Sequence, residues 1–182
     1  MNARRTLAVA LTGAAAIALL VAALAQAALP TPTRALVVPF KSIGPVEFGT
    51  TKAKVVQKWG QPQCAHEDTT GQDTCVWLSS SPNDFPPEGA ALELDGGKVC
   101  GMMMRAGTNF RTGELTITGL KRWKTKEGVG LGSKMRDAKK LLGGERVKRK
   151  HGVTTALSPG TTSESRNKLE EIEIFKDGCH VT

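Results

Sequence analysis

The chain has 182 residues, of which 40% are hydrophobic and only 4% aromatic, with no Tyr. It carries 25 Lys and Arg against 17 Asp and Glu, a formal net charge of +8. This length bounds the folded part to one domain or two small ones, and the mild basic excess fits solubility or contact with polyanions outside the cell.

The first 27 residues read as an export signal. A short basic stretch, MNARRT, precedes the uncharged apolar run LAVALTGAAAIALLVAALA, and Ala25-Gln26-Ala27 offers a small-residue cleavage pattern. The run is about long enough to cross a bilayer, so an uncleaved N-terminal anchor is the alternative, and membrane contact is expected only in that case. Arg4-Arg5 fits a plain basic leader as well as a twin-arginine one. No Cys follows the run, which argues against a lipid anchor. Removal of residues 1–27 leaves 23 basic and 17 acidic side chains, a net charge of +6. Export makes nucleic acid an unsuitable partner. It also fits the four cysteines, Cys64, Cys75, Cys100 and Cys179, which all follow the signal and suit two disulfides in any of three connectivities.

After an extended segment at 28–42, one pattern is written twice, 83 positions apart. In PVEFGTTKAKVVQKWGQ (45–61) and GVGLGSKMRDAKKLLGG (128–144), Val46 corresponds to Val129, Phe48 to Leu131, and Gly49 to Gly132. Thr50 likewise corresponds to Ser133, Trp59 to Leu142, and Gly60 to Gly143. Each block predicts an apolar stretch, a Gly, a Thr or Ser that caps a helix of about ten residues, and a Gly that stops it. Val55, Val56 and Trp59 share one helix face, and Met135, Ala138, Leu141 and Leu142 share another. Period-two strands follow. The first block leads to 74–79, 89–95, a tight turn at Asp95-Gly96-Gly97-Lys98, and 99–105; the second leads to 146–150, 153–157 and 169–175. LEL at 92–94 corresponds to IEI at 172–174. The prediction is an α+β fold of two tandem repeats, each a short capped helix followed by an antiparallel β-meander. Unit 1 spans 43–105 and unit 2 spans 128–182, joined by a linker at 106–127 with a strand at Leu115–Thr118.

GPVEFGTTKAKVVQKWGQP, the Gly-Thr and Gly-Ser helix starts, and the close Cys pair after the first helix resemble the β-lactamase inhibitor protein family. The half-unit is similar to the small lipoprotein of the outer-membrane assembly machinery. The resemblance covers most of 43–182 as architecture and implies a tandem of helix-plus-four-strand units. It also implies a loop of the first unit that offers an acidic residue beside an aromatic one to an enzyme, a place that Asn83, Asp84 and Phe85 in SSSPNDFPPEG (79–89) would take. Cys64 and Cys75, eleven apart, flank a polar hairpin-like stretch and are expected to close a short loop. Cys100 then pairs with Cys179 if the two last strands are neighbours.

Other chemistry has weak signals. Cys64-Ala65-His66, Cys75 and Cys179-His180 supply soft ligands but lack zinc spacing, so no metal and no cofactor are expected. No nucleophile elbow, zincin helix or phosphate loop is present. Gly128, Gly130 and Gly132 suit a tight helix entry better than a nucleotide. Glu170, Glu171 and Glu173 suit a solvated strand face. Trp123 lies among Lys121, Arg122, Lys124 and Lys126, either as an exposed ring at a membrane or anionic partner, with Lys121 and Arg122 beside it, or as a core Trp under solvated cations. A second basic run, ERVKRKH, spans 145–151. The reading that results is a secreted, disulfide-stapled, non-enzymatic binding module for a protein or anionic envelope partner, inhibitor-like in mode. The alternatives are a small envelope-associated hydrolase using His66, His151 or His180, and an anchored structural envelope protein.

Overall fold

The computed structural model describes residues 28–31 and 34–179; the predicted export signal at 1–27 and His180 lie outside them. Three two-residue strands come first: β1 (Val37–Val38), β2 (Ser42–Ile43) and β3 (Val46–Glu47). Helix α1 (Lys52–Trp59) follows, then β4 (Gln63–Glu67), β5 (Gln72–Leu78), β6 (Gly89–Asp95) and β7 (Lys98–Arg105). A small pair, β8 (Gly107–Thr108) and β9 (Leu115–Thr116), and a 3-10 turn at Leu120–Arg122 lead to α2 (Met135–Lys140). The chain then forms β10 (Val147–Lys150), β11 (Val153–Pro159) and β12 (Leu169–Lys176).

The long strands make one antiparallel seven-stranded sheet in the order β10-β11-β12-β7-β6-β5-β4. Its centre is the β7–β12 pairing, with Met104 opposite Ile172 and Met102 opposite Ile174. All four side chains are buried on the face that also carries Leu92, Cys75 and Trp77. The three tryptophans pack against that face edge to face: the Trp59 ring centroid lies 5.2 Å from that of Trp77 and 5.4 Å from that of Trp123. Trp59 joins the other two rings, and these large side chains fill a core otherwise built of aliphatic residues, Met and Cys. Gly44 lies so close over Trp123 that a Cβ there would stand 2.7 Å from the ring, which requires Gly at this point of the β2–β3 turn.

The predicted pair of tandem helix-led units is corrected by this architecture. The fold is rich in strand and poor in helix. The second helix has six residues, under two turns, and the strands after it number three and merge with the others in a single sheet. Leu141 and Leu142 fall beyond α2 because the chain tightens there: the Leu141 and Leu142 amides donate to Ala138 and Lys139, three residues back.

The predicted caps are corrected as well. The N-cap residues are Thr51 and Lys134, neither with a side-chain cap. Thr50 and Ser133 instead accept the amides of Glu47 and Gly130, three residues earlier, at 3.3 and 3.1 Å. Gly49 and Gly132 take nearly the same left-handed conformation, φ 79° and 78°. The repeated sequence pattern therefore encodes a repeated turn.

Both disulfides, Cys64–Cys75 and Cys100–Cys179, are formed. The first joins opposed residues of β4 and β5, and the second ties the segment after β12 back to β7.

Candidate binding surface

The 79–88 loop between β5 and β6 is closed at its base by the Ser79 amide, which donates to the Glu88 carbonyl at 2.8 Å. Its outer part is stitched to the segment around β8 and β9. The Phe85 amide donates to the Thr108 carbonyl, the Thr108 amide to the Pro86 carbonyl, and the Phe110 amide to the Asn83 carbonyl. The Thr116 hydroxyl donates to Asp84 Oδ1 at 3.0 Å. Asn109 holds the neighbouring turn, its Oδ1 accepting the Arg111 and Thr112 amides. On this frame Phe85 is 80% exposed and Phe110 58% exposed, with the Arg111 guanidinium 5.5 Å from the Phe110 ring centroid. Both rings thus stand open to solvent on a backbone held by hydrogen bonds.

Beneath the frame lies Glu88, fully buried. Its carboxylate accepts the amides of Thr118, Gly119 and Leu120 and the Thr118 hydroxyl, so one side chain locks the 3-10 turn to the start of β6. At the foot of the loop a recess of about 140 Å³, lined by Pro86, Pro87, Val76, Met103 and Arg105, opens onto the sheet face away from the tryptophans.

That face carries Glu171 and Glu173 of β12. Arg105 pairs with Glu171, and Glu173 stands beside Glu171 on the same face. Burial, then the neighbouring Glu171 carboxylate, push the Glu173 carboxyl up to about 7. Burial also raises Glu93 and Glu170. The predicted solvated strand of glutamates is thereby corrected: Glu170 and Glu171 are buried, and Glu173 is half-buried.

Of the six predicted contact residues, the structure brings Asn83, Asp84 and Phe85 together on the loop. Asn83 is exposed, while Asp84 is half-buried and turned toward Thr116. Trp123 as an exposed contact ring is corrected: it is 2% exposed and packed against Trp59 and Gly44, while Lys121, Arg122, Lys124 and Lys126 around it face solvent. Phe110 and Arg111 were not singled out from sequence, since a lone Phe in a polar linker carries no periodic signal.

Two other features bear on chemistry. His66 Nδ1 lies 2.8 Å from Asp73 Oδ1, and that hydrogen bond, with Lys52 close by, lowers the Asp73 carboxyl. The pair is exposed on the outer hairpin, and among the described residues no hydroxyl is hydrogen-bonded to the other ring nitrogen. Among the described residues no group of three His, Cys, Asp or Glu is placed to hold a metal, and Cys64, Cys75 and Cys179 are consumed by disulfides. A further concavity, about 620 Å³, is an open groove between β1, the 126–129 loop and α2. It is floored by Leu36, Val38, Phe40, Val129 and Leu141.

No family model matches the chain, and no curated protein matches it in sequence. Among solved structures it is similar to an extracellular protein containing a SCP domain from Bacillus anthracis str. Ames, with TM-score 0.43 and 12% identity. The match covers 79% of this chain and 51% of that one, so the chain spans about half of its length. The two disulfides staple the fold and suit an oxidising, extracytoplasmic compartment. No helix among the described residues is long and apolar enough to cross a membrane.

Proposed function

We propose that the protein is an exported, disulfide-stapled, non-enzymatic binding module that engages a protein partner through Phe85 and Phe110. The observation that carries this reading is the exposure of two of the five phenylalanines on one hydrogen-bonded loop frame, in a chain that buries all three tryptophans. Aromatic side chains on an ordered backbone bring large contact area at a small entropic cost, which is the usual composition of a binding hot spot. Asn83 and Arg111 supply the polar border. The His66–Asp73 pair sits outside any recess described above, which favours binding over hydrolysis.

The test is affinity capture from the protein's own culture medium and envelope fraction with wild type, F85A/F110A and a control variant, Lys54→Ala. A partner retained by wild type and by the control but lost with F85A/F110A supports the reading. Equal capture by all three overturns it. Inhibitor-like action adds a second readout: if the captured partner is an enzyme, wild type lowers its activity and F85A/F110A does not.

A further inference from the structure

The net charge of the exported chain is confined to one place. Residues 134–151 hold eight Lys or Arg and two acidic residues, a net charge of +6, whereas 28–133 and 152–182 together hold 15 of each sign. These 18 residues form one corner of the molecule. They comprise α2, the turn through Gly143 and Gly144, and β10, the outermost strand of the sheet. The Lys148 ammonium donates to the Leu142 carbonyl at 3.2 Å, which draws the end of the helical segment against the strand. All four residues of β10 are exposed.

Little of this charge is neutralised locally. Arg136 and Lys140 share Asp137, and Arg149 pairs with Asp177. Among the described residues Lys134, Lys139, Arg146, Lys148 and Lys150 form no ion pair. Antiparallel pairing with β11 places Lys148 and Lys150 on one face of the strand and Arg149 on the other. Alternate residues of a strand stand about 6.8 Å apart. The cations thus border the strand on both faces and continue onto α2.

Three partners suit a basic edge, and the geometry separates them. An added peptide strand would desolvate cations on both faces of β10, which is how natural edge strands resist such pairing. A bilayer needs cations in one plane with apolar anchors, whereas these bracket a corner where Val147 is the one exposed large hydrophobic residue. A flexible linear polymer can follow the edge and meet cations from either side. We propose that the α2–β10 corner binds a linear polyanion of the extracytoplasmic space through its row of unpaired Lys and Arg. This surface is independent of the Phe85–Phe110 frame.

The experiment uses the exported protein and fluorescent long-chain inorganic polyphosphate as probe. Binding is expected and should weaken steeply between about 50 and about 200 mM NaCl, as counterion release requires. Replacement of Lys134, Lys139, Arg146 and Lys150 by Gln should weaken it roughly tenfold or more. The same replacement of Lys54, Lys98, Lys121 and Arg122, exposed cations outside this corner, should change affinity less than about twofold. Unchanged circular dichroism and non-reducing mobility establish that both variants are folded. Equal losses in the two variants would show a bulk charge effect and overturn the proposal. So would salt-insensitive binding, no binding at low salt, or competition by orthophosphate as effective per phosphate as the polymer. Association with phosphatidylglycerol vesicles as strong as with polyphosphate would assign the corner to membranes instead.

Discussion

Glu88 is a buried carboxylate surrounded by donors, and its removal leaves three backbone amides without a partner. Orphaned buried groups and lost charge-assisted hydrogen bonds each cost on the order of 1–3 kcal/mol. Glu88→Ala is therefore expected to lower unfolding stability by about 3 kcal/mol, measured by urea denaturation, and to loosen the 116–122 segment in hydrogen exchange. A change under about 0.5 kcal/mol would show that the 3-10 turn holds without it. Glu173 acts in a different direction. Its carboxyl is pushed up to about 7 from an ordinary 4.5, so the folded chain holds this proton more tightly than the unfolded chain does. Its contribution to stability is complete below pH 4.5 and is lost as pH rises through about 7. Glu173→Gln should flatten the fall in Tm between pH 5 and pH 8; a wild-type-like slope in the variant would remove Glu173 as the cause. Neither role could be read from the residue itself. Glu88 is one more acid before a strand, and Glu173 fits an alternating solvated pattern until β7 and β11 close on both sides of β12.

At the scale of elements, the strands were the legible part. Residues 89–95 form β6 as predicted, and 99–105, 146–150, 153–157 and 169–175 differ from the observed strands by one or two residues at an end. Alternating burial dictates these runs wherever one face meets the core. β4 was missed because Gln63–Glu67 has no buried apolar alternation and is held as an edge by β5 and the Cys64–Cys75 bridge. The second helix was overextended because its apolar spacing continues through Leu142, while Gly143 and Gly144, both left-handed, pull the chain into turns earlier. The disulfides differ in reach. Cys64–Cys75 closes 11 residues and Cys100–Cys179 closes 79. In the chain-entropy model the longer loop is worth about 4.5 kcal/mol and the shorter about 3. C100S/C179S is expected to destabilise more than C64S/C75S in urea titrations, and the reverse order would argue against an entropic origin.

At the scale of the whole molecule, one sheet is assembled from two distant stretches of chain, and both bridges need an oxidising compartment. The exported protein is expected to begin at Ala28 and to carry two disulfides, four hydrogens lighter than its reduced form by intact mass. A retained N-terminus would instead support the anchored alternative. The hydrogen-bonded frame around Phe85 and Phe110 also belongs to this scale. Phe85 was named only through the family resemblance, as the aromatic residue beside an acidic one in a Pro-rich loop. Phe110 was not, because only the pairing of 83–86 with 108–110 makes the two segments neighbours.

Local chemistry, carried by short stretches of chain, was sufficient for the sequence to indicate the strand periodicities and the two disulfide pairings. Tertiary structure alone decided that the repeated pattern yields one helix-poor sheet, that Trp123 is core, and that Phe110 joins Phe85 at the surface. Those outcomes depend on which strand edges meet, and the β7–β12 pairing joins residues about 70 positions apart. No window of sequence contains that contact.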